Sequence, residues 1–172
     1  CQALDVRDNI LVGHSVSSMI AVLAANREPE RFERLILVGP SPRYVNDPPG
    51  YVGGFERADI EGLLEMMDRN YIGWANFLGP AIMKNPERPE LGEELTQSFC
   101  STDPVIARRF AEATFFADNR DDLPRGRVPA LVLQCSSDPI APLPVGEYVH
   151  RHIEQSELVV MKATGHCPNL SA

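Results

Sequence analysis

Residues 10–17 read I-L-V-G-H-S-V-S, and this stretch decides the fold that the rest of the chain is predicted to adopt. It begins within a short apolar run, residues 9–13, which is typical of a buried parallel strand. Residues 15–27 follow with apolar side chains around much of a helical circumference, so they predict a buried helix that Pro29 ends. A strand, a tight turn at Ser15 and a helix therefore succeed one another directly.

Three further apolar runs predict strands of the same kind. They cover residues 34–39, 129–134 and 157–162, and a helix is predicted over residues 145–153, between the last two. Strands that alternate with helices are typical of a parallel sheet covered by helices. The predicted fold class is therefore α/β.

The middle of the chain breaks this alternation. Residues 40–54 are rich in Pro, Gly, Asn and Asp, which indicates a loop, and residues 119–129 form a second linker. Between them, residues 55–118 predict several helices and no strand. We therefore predict a helical lid inserted into the sheet-forming part, with the chain divided at residues 1–41, 42–128 and 129–172.

Ser15 has the sequence surroundings of an activated serine. Gly13 and Ser17 flank it in a pattern close to the Gly-x-Ser-x-Gly of a nucleophile elbow, in which a strained turn exposes the hydroxyl above the sheet. The N–H of Val16 would then point from the helix N-terminus at a developing oxyanion. Ser17 stands where the pattern has Gly, and its hydroxymethyl group either shifts the turn slightly or distorts the elbow.

Asp138 and His166 each follow a predicted strand. Taken singly, Asp138 before Pro139 is an ordinary turn residue and His166 an ordinary loop histidine. Together with Ser15 they come in the chain order Ser, Asp, His, and each lies at the carboxyl end of a predicted parallel strand, where such sheets gather their sites. We therefore predict Ser15 as nucleophile, His166 as base and Asp138 as orienting acid.

His14 and the aromatic residues of the lid are candidates for contacts with a substrate. His14 competes with His166 as the base, but its place within the elbow favours a structural or pocket role. The aromatic rings form either the core of the lid itself or an apolar pocket over Ser15. We predict pocket contacts for His14 and for four aromatic residues, Phe55, Trp74, Phe77 and Phe115.

Composition and charge exclude several functional classes. The formal net charge of −8 disfavours nucleic acid as a partner, and no apolar run is long enough to predict a membrane span. The chain has no Gly-rich dinucleotide fingerprint and no phosphate loop, so no cofactor is predicted. The wide spacing of the four cysteines favours reduced thiols in a cytoplasmic protein over a metal site; these are Cys1, Cys100, Cys135 and Cys167.

Four longer stretches carry a resemblance to a known family. They are V-G-P-S-P-R-Y-V-N-D-P-P at 38–49, L-L-E-M-M-D-R-N-Y-I-G-W-A at 63–75, F-C-S-T-D-P-V-I-A-R at 99–108 and G-H-C-P at 165–168. In these stretches the chain resembles the RsbQ family, bacterial energy-stress regulators of the sigma-B pathway, a group similar to the plant karrikin and strigolactone receptor hydrolases. The resemblance covers essentially the whole chain. It implies an α/β-hydrolase fold, a small hydrophobic ligand, a PAS-domain serine phosphatase as partner and a cytoplasmic location.

The resemblance also implies segments outside this chain. It implies strands and a helix before Cys1, which would supply a second oxyanion donor and a pocket wall, and a last helix after Ala172. We therefore expect the chain to be a piece of a longer protein. Without the earlier strands, the strand at residues 9–13 would have a bare apolar edge, and we predict that the chain alone is unstable or insoluble.

Two classes of function remain open at this level. In the first, the protein is an enzyme that hydrolyses a small apolar ester or lactone through an acyl-serine intermediate. In the second, the same pocket binds or slowly processes a ligand, and the lid then engages the partner. A folded remnant without activity, C–C bond hydrolysis and perhydrolysis also remain open, whereas dehalogenation would use a carboxylate at the position of Ser15.

Overall fold

The sheet has four parallel strands. In the computed structural model of the chain, residue 3 and residues 5–172 are described. The strands are β1 (Asn9–His14), β2 (Phe32–Val38), β3 (Ala130–Ser137) and β4 (Ser156–Thr164), and they lie side by side in chain order. All four predicted strands are present, and the predicted α/β-hydrolase architecture is confirmed.

Two helices cover one face of this sheet. Helix α1 (Val16–Arg27) packs on β1 and β2, and a later helix, α6 (Leu143–His152), packs on β3 and β4. Burial of apolar side chains between the helices and the sheet supplies the main driving force for this layer. Its core includes Met19, Val22, Leu35, Leu37, Val132 and Val149.

The opposite face of the sheet leaves apolar side chains open to solvent. Ile10 and Val12 on β1 are 55% and 60% exposed, and Val159 on β4 is 46% exposed. Because side chains alternate between the two faces of a strand, these residues belong to the face that α1 and α6 do not cover. The low solubility predicted for the chain alone is consistent with this face and stays a prediction.

Four helices form the insertion between β2 and β3. They are α2 (Arg57–Arg69), α3 (Tyr71–Met83), α4 (Pro89–Cys100) and α5 (Pro104–Phe115). The side chain of Asp103 accepts hydrogen bonds from the N–H groups of Val105 and Ile106, so it caps α5, whose first position is a proline. The insertion has an apolar core of its own, which includes Ile60, Leu64, Met67, Trp74 and Leu78.

Three of the four cysteines lie within the described residues. Cys135 and Cys167 are buried, Cys100 is exposed, and Cys1 lies outside the described residues.

Within residue 3 and residues 5–172, no helix is long and apolar enough to cross a membrane. The same residues contain no group of three or more His, Cys, Asp or Glu side chains arranged to hold a metal ion. A last short helix, α7 (Pro168–Ser171), follows β4.

Candidate active site

Ser15 lies on the strained turn between β1 and α1. Its backbone has φ 56° and ψ −125°, a conformation that a residue with a side chain adopts only when its surroundings impose it. The Ser15 N–H donates to the carbonyl of Val38 on β2 at 2.9 Å, which ties the turn to the sheet. A Cβ on Gly13 would lie 2.5 Å from the carbonyl oxygen of Ser17, so only glycine lets strand and helix approach this closely. Helix α1 therefore begins at Val16 rather than at the predicted Ser15.

Ser17 is the second residue of α1. The structure places Ser17 on the exposed side of α1, so its hydroxymethyl group meets solvent and not the strand. The neighbouring Ser18 is fully buried instead, and its hydroxyl donates to the carbonyl of Gly13 at 2.8 Å. The Ser17 side chain therefore adds no crowding between the strand and the helix in this structure.

The three predicted catalytic side chains meet at the carboxyl ends of the strands. Ser15 Oγ lies 2.7 Å from His166 Nε2, and His166 Nδ1 lies 2.7 Å from Asp138 Oδ2. Asp138 and His166 are 7% and 4% exposed. The carboxylate fixes the hydrogen of the imidazole on Nδ1, so that Nε2 is the acceptor for the Ser15 hydroxyl. The arrangement fits a Ser–His–Asp triad.

The loop after β3 holds the carboxylate of Asp138 in place. The backbone N–H groups of Ile140 and Ala141 donate to Asp138 Oδ1 at 2.8 and 3.0 Å, which leaves Oδ2 for the histidine. The buried side chain of Gln134 on β3 donates to the carbonyl of Ala141 at 2.7 Å and fixes the loop from the other side. These hydrogen bonds fix the orientation of the carboxylate beside His166.

Gly39 gives the acid and the base room to meet. It follows β2 with φ +51°, and a Cβ at this position would lie 3.2 Å from His166 Cε1 and 3.4 Å from Asp138 Oδ2. A side chain here would therefore press on the pair and would also strain the backbone. The strand predicted over residues 34–39 included Gly39, whereas β2 ends at Val38, so the glycine begins the loop at the edge where parallel sheets gather their sites.

His14 contacts the backbone of His166 and is not among the residues that line the cavity over Ser15. Its Nε2 donates to the carbonyl of His166 at 2.6 Å, and the two rings lie 5.0 Å apart. Burial lowers the pKa of His14, so its ring is neutral when it donates this hydrogen bond. Of the two roles predicted for His14, the structure therefore favours the structural one over a ligand contact.

A cavity of about 470 Å³ lies over Ser15 and His166, beneath the lid. Its walls come from α3, α4, α5 and the loops after the strands, and they are mainly apolar. Val16 lines it next to the nucleophile, with its N–H at the first position of α1, where a helix leaves the N–H without an intrahelical acceptor. The lid residues in contact with it include Trp74, Leu78, Ile82, Phe99, Phe110 and Phe115.

The predicted aromatic contacts divide into two groups. Trp74 and Phe115 line the cavity, as expected. Phe55 lies behind Phe115, with its ring centroid 6.1 Å away in an edge-on arrangement, and is outside the cavity lining. Phe77 is 56% exposed and also lies outside, because the buried face of α3 runs through Trp74 and Leu78. The structure therefore does not place Phe55 and Phe77 at the wall of this cavity, contrary to the pocket contact expected for them.

Tyr44 is a site residue that the sequence did not reveal. Its hydroxyl lies 3.2 Å from Ser15 Oγ, and the residue is 2% exposed. Burial raises the pKa of Tyr44 to about 12, so the phenol stays protonated. It belongs to the Pro- and Gly-rich stretch interpreted as a loop, and its signals in the sequence are its place shortly after the carboxyl end of β2 and in the stretch 38–49 that carries the family resemblance.

Cys167 follows the catalytic histidine but is not a second nucleophile. The residue is 7% exposed, and burial raises the pKa of its thiol to about 11. A thiol protonated at neutral pH is a poor nucleophile, because the thiolate is the reactive form. Ser15 therefore stays the predicted nucleophile of this site.

Comparison with known proteins agrees with this geometry. Residues 2–172 match the model of the alpha/beta hydrolase family. The chain belongs to this family. It is 37% identical over 172 residues to a probable esterase of Oryza sativa subsp. japonica, a match that covers 99% of the chain and 63% of that protein. It is also 37% identical over 164 residues to the Karrikin insensitive 2 receptor CA of Petunia hybrida, with 95% of the chain and 60% of that protein covered.

A solved structure supports the same assignment. A hydrolase from Oleispira antarctica superimposes with a TM-score of 0.94 at 46% sequence identity, over 97% of this chain and 61% of that one. The chain thus spans about three fifths of the length of the proteins it matches, 60–63% for these three.

Proposed function

We propose that the protein is a serine hydrolase of small apolar esters or lactones that works through an acyl-serine intermediate. The observation that carries this proposal is the 2.7 Å contact between Ser15 Oγ and His166 Nε2 at one end of an apolar cavity. The alpha/beta hydrolase family match and the relative named as a probable esterase support the same reaction class.

The first half of the reaction follows from the proton positions. The Ser15 hydroxyl gives its proton to His166 Nε2 while Oγ attacks the carbonyl carbon of the ester. The Asp138 carboxylate stabilises the imidazolium that forms. The carbonyl oxygen becomes an oxyanion that the Val16 N–H stabilises at the N-terminus of α1. His166 then protonates the leaving oxygen, the bond between it and the carbonyl carbon breaks, and Ser15 carries the acyl group.

The second half repeats these steps with water. A water molecule gives a proton to His166 and attacks the acyl carbon, and the bond to Ser15 Oγ breaks as Oγ recovers the proton. The cavity supports the proposed substrate class, because about 470 Å³ with mainly apolar walls suits a small hydrophobic molecule. The Ser15 hydroxyl and the His166 imidazole lie at one end of the cavity, and the ester bond to be cleaved would bind there.

A second candidate is a sensor that binds or slowly processes its ligand. It is favoured by the relative named as a Karrikin insensitive 2 receptor, which is as similar in sequence as the probable esterase. The resemblance to the RsbQ family extends this candidate to cytoplasmic stress signalling with a PAS-domain serine phosphatase as partner. The same Ser15, His166 and Asp138 would serve both candidates.

Labelling with a fluorophosphonate tests the proposal. This probe phosphonylates only an activated serine, and we expect the intact mass to rise by one adduct in the wild-type protein and to stay unchanged in Ser15→Ala. The exposed Ser17→Ala is the matched control, since it removes a hydroxyl from the same helix start without touching the triad, and we expect it to label like the wild type. A folded wild-type protein that takes up no adduct would refute the hydrolase mechanism.

Turnover then separates the two candidates. With p-nitrophenyl esters of increasing chain length, an enzyme releases nitrophenol continuously over many cycles. A sensor releases about one equivalent in a burst and then slows, because deacylation limits it. We expect continuous release, with a preference for acyl chains short enough to fit the cavity.

A further inference from the structure

The Tyr44 side chain is held rigidly beside the nucleophile. Its backbone carbonyl accepts from the N–H of Phe55 at 3.2 Å, and its ring packs edge-on against Phe115 with centroids 5.3 Å apart. These contacts fix both ends of the residue within the buried layer between sheet and lid. The 3.2 Å distance to Ser15 Oγ is therefore set by packing rather than by a mobile side chain.

The direction of the hydrogen bond between the two hydroxyls follows from counting protons. His166 Nδ1 carries a hydrogen directed at Asp138, so Nε2 must accept the single hydrogen of the Ser15 hydroxyl. Ser15 Oγ then has only lone pairs to offer to Tyr44. The Tyr44 O–H is consequently the donor, and the chain of hydrogen bonds runs from Tyr44 through Ser15 and His166 to Asp138.

Two other tyrosines, Tyr51 and Tyr71, use their hydroxyls differently. The Tyr71 hydroxyl donates to the carbonyl of Phe99 at 2.8 Å, and the Tyr51 hydroxyl donates to the carbonyl of Arg43 at 2.6 Å. Both connect backbone segments and so serve the fold. Tyr44 instead directs its hydroxyl at the reacting oxygen atom.

We propose that Tyr44 is a further catalytic residue, whose O–H holds Ser15 Oγ at rest and then donates to the oxyanion of the tetrahedral intermediate. This inference rests on the proposed hydrolase function. When Oγ bonds to the acyl carbon, the electron pair left by its departing proton forms the new bond, so Oγ keeps two lone pairs but no charge, and the negatively charged oxyanion becomes the stronger acceptor. The oxyanion is bonded to the same carbon and is therefore only two bonds from Oγ, within reach of a donor already placed beside it.

The step balances without any change in the protonation of Tyr44. The Ser15 proton moves to His166, the bond between Oγ and carbon forms, and the carbonyl π pair moves to the oxyanion. Tyr44 keeps its hydrogen throughout and only exchanges one acceptor for another. Its high pKa fits this role, since a donor that does not ionise cannot add a second negative charge to the site. Tyr44 would add a side-chain donor to the Val16 N–H and to the second donor that the family resemblance implies before Cys1.

The test compares Tyr44→Phe with Tyr51→Phe. Both substitutions remove one hydroxyl from a buried tyrosine and keep the ring, as Tyr44 and Tyr51 are 2% and 4% exposed. We expect Tyr44→Phe to slow both fluorophosphonate labelling of Ser15 and kcat for a p-nitrophenyl ester by roughly 10- to 100-fold, with KM little changed, because an oxyanion donor acts in the transition state. Tyr51→Phe is expected to lower Tm and leave both rates unchanged.

Binding of phenylboronic acid provides a second readout that does not depend on turnover. Boronic acids form a tetrahedral adduct with an active serine, so we expect Tyr44→Phe to weaken this inhibitor by a factor similar to the loss in kcat. Unchanged labelling and unchanged boronate inhibition in folded Tyr44→Phe would overturn the role of Tyr44. A wild-type protein that fails to label would instead overturn the proposed function itself, so the two failures are distinguishable.

Discussion

Asp138 shows how one residue fixes the proton pattern of the whole site. Its Oδ1 is committed to the N–H groups of Ile140 and Ala141, so only Oδ2 faces His166. In Asp138→Asn the same two N–H groups require an oxygen at the Oδ1 position. The amide NH₂ must then face His166 Nδ1, which reverses the tautomer and leaves Nε2 carrying a hydrogen that points at Ser15.

We therefore expect Asp138→Asn to reduce the rate of fluorophosphonate labelling at Ser15 by on the order of 10³- to 10⁴-fold. The overall geometry should survive, because Asn is isosteric with Asp. The second-order labelling rate and Tm are the two measurements to make. A labelling rate within tenfold of the wild type would show that the acid does not set the tautomer of His166.

The site residues that could be predicted from the sequence are those that directly follow a predicted strand. Ser15, Asp138 and His166 each follow a strand and come in a fixed order, so their convergence follows from the parallel sheet. Tyr44 and His14 contribute through contacts with residues distant in sequence, Ser15 in one case and His166 in the other. No local pattern encodes such contacts, although the place of His14 within the elbow already favoured a structural or pocket role.

At the scale of elements, the end of the lid helix α3 positions the loop that carries the catalytic histidine. The His166 N–H donates to the carbonyl of Ile82 at 2.9 Å, and Lys84 Nζ donates to Ser137 Oγ at 2.9 Å. Gly165 lies at this junction with φ +91°, and a Cβ there would lie 2.1 Å from the carbonyl oxygen of Met83. Neither the backbone conformation nor the space allows a side chain.

We expect Gly165→Ala to destabilise the protein by at least about 2 kcal/mol and to slow labelling of Ser15, because α3 and the His166 loop must separate. Gly62→Ala is the matched control. Gly62 lies in α2 with open space where a Cβ would stand, so alanine there should stabilise the protein by about 0.5–1 kcal/mol and leave labelling unchanged. Urea unfolding and labelling rates measure both effects, and equal stability of the two variants would contradict the close packing at Gly165.

The lid was predictable as a helical block but not in its orientation. Residues 55–118 lack strand patterns, and the insertion indeed consists of four helices. Helix α3 carries Ile72, Trp74, Phe77 and Leu78 around much of its circumference. With apolar side chains on several sides, its periodicity could not say which ring faces the cavity. Packing against α2 and α4 makes that choice, and it leaves Phe77 outside.

At the scale of the whole molecule, the sequence predicted the parallel sheet but could not predict which face of the sheet the helices cover. Parallel strands are apolar on both sides, so the pattern of β1 predicts burial without saying against what. In the structure α1 and α6 share one face, and the side chains of Ile10 and Val12 are open to solvent on the other. The connections between elements decide this, and they depend on the handedness of the crossovers rather than on composition.

Acid should destabilise the protein in two separate pH ranges, because two groups have pKa values below their ordinary ones in the folded state. Burial lowers the pKa of His14 from 6.5 and outweighs the hydrogen bond to the carbonyl of His166, which acts to raise it. Hydrogen bonds from Arg120 and Arg43 lower the pKa of Asp118 from 3.8 to about 2. In both cases the unfolded chain binds protons at a higher pH than the folded one, so stability falls as pH falls.

The contribution of His14 is fully present above the unfolded pKa of 6.5 and declines as pH falls from there toward its lower folded value. We expect the urea midpoint of the wild type to drop between about pH 7.5 and about pH 5.5, and to drop less in His14→Gln. Glutamine keeps an N–H donor for the carbonyl of His166 but does not titrate, so it removes the protonation and retains the hydrogen bond. The second decline, below the ordinary pKa of Asp118, should be the same in both proteins, because Asp118 and its arginine partners are unaltered. If the urea midpoints of the wild type and of His14→Gln dropped equally above about pH 5.5, protonation of His14 would not contribute to the loss of stability. The neutral His14 ring would then not be required to hold the carbonyl of His166.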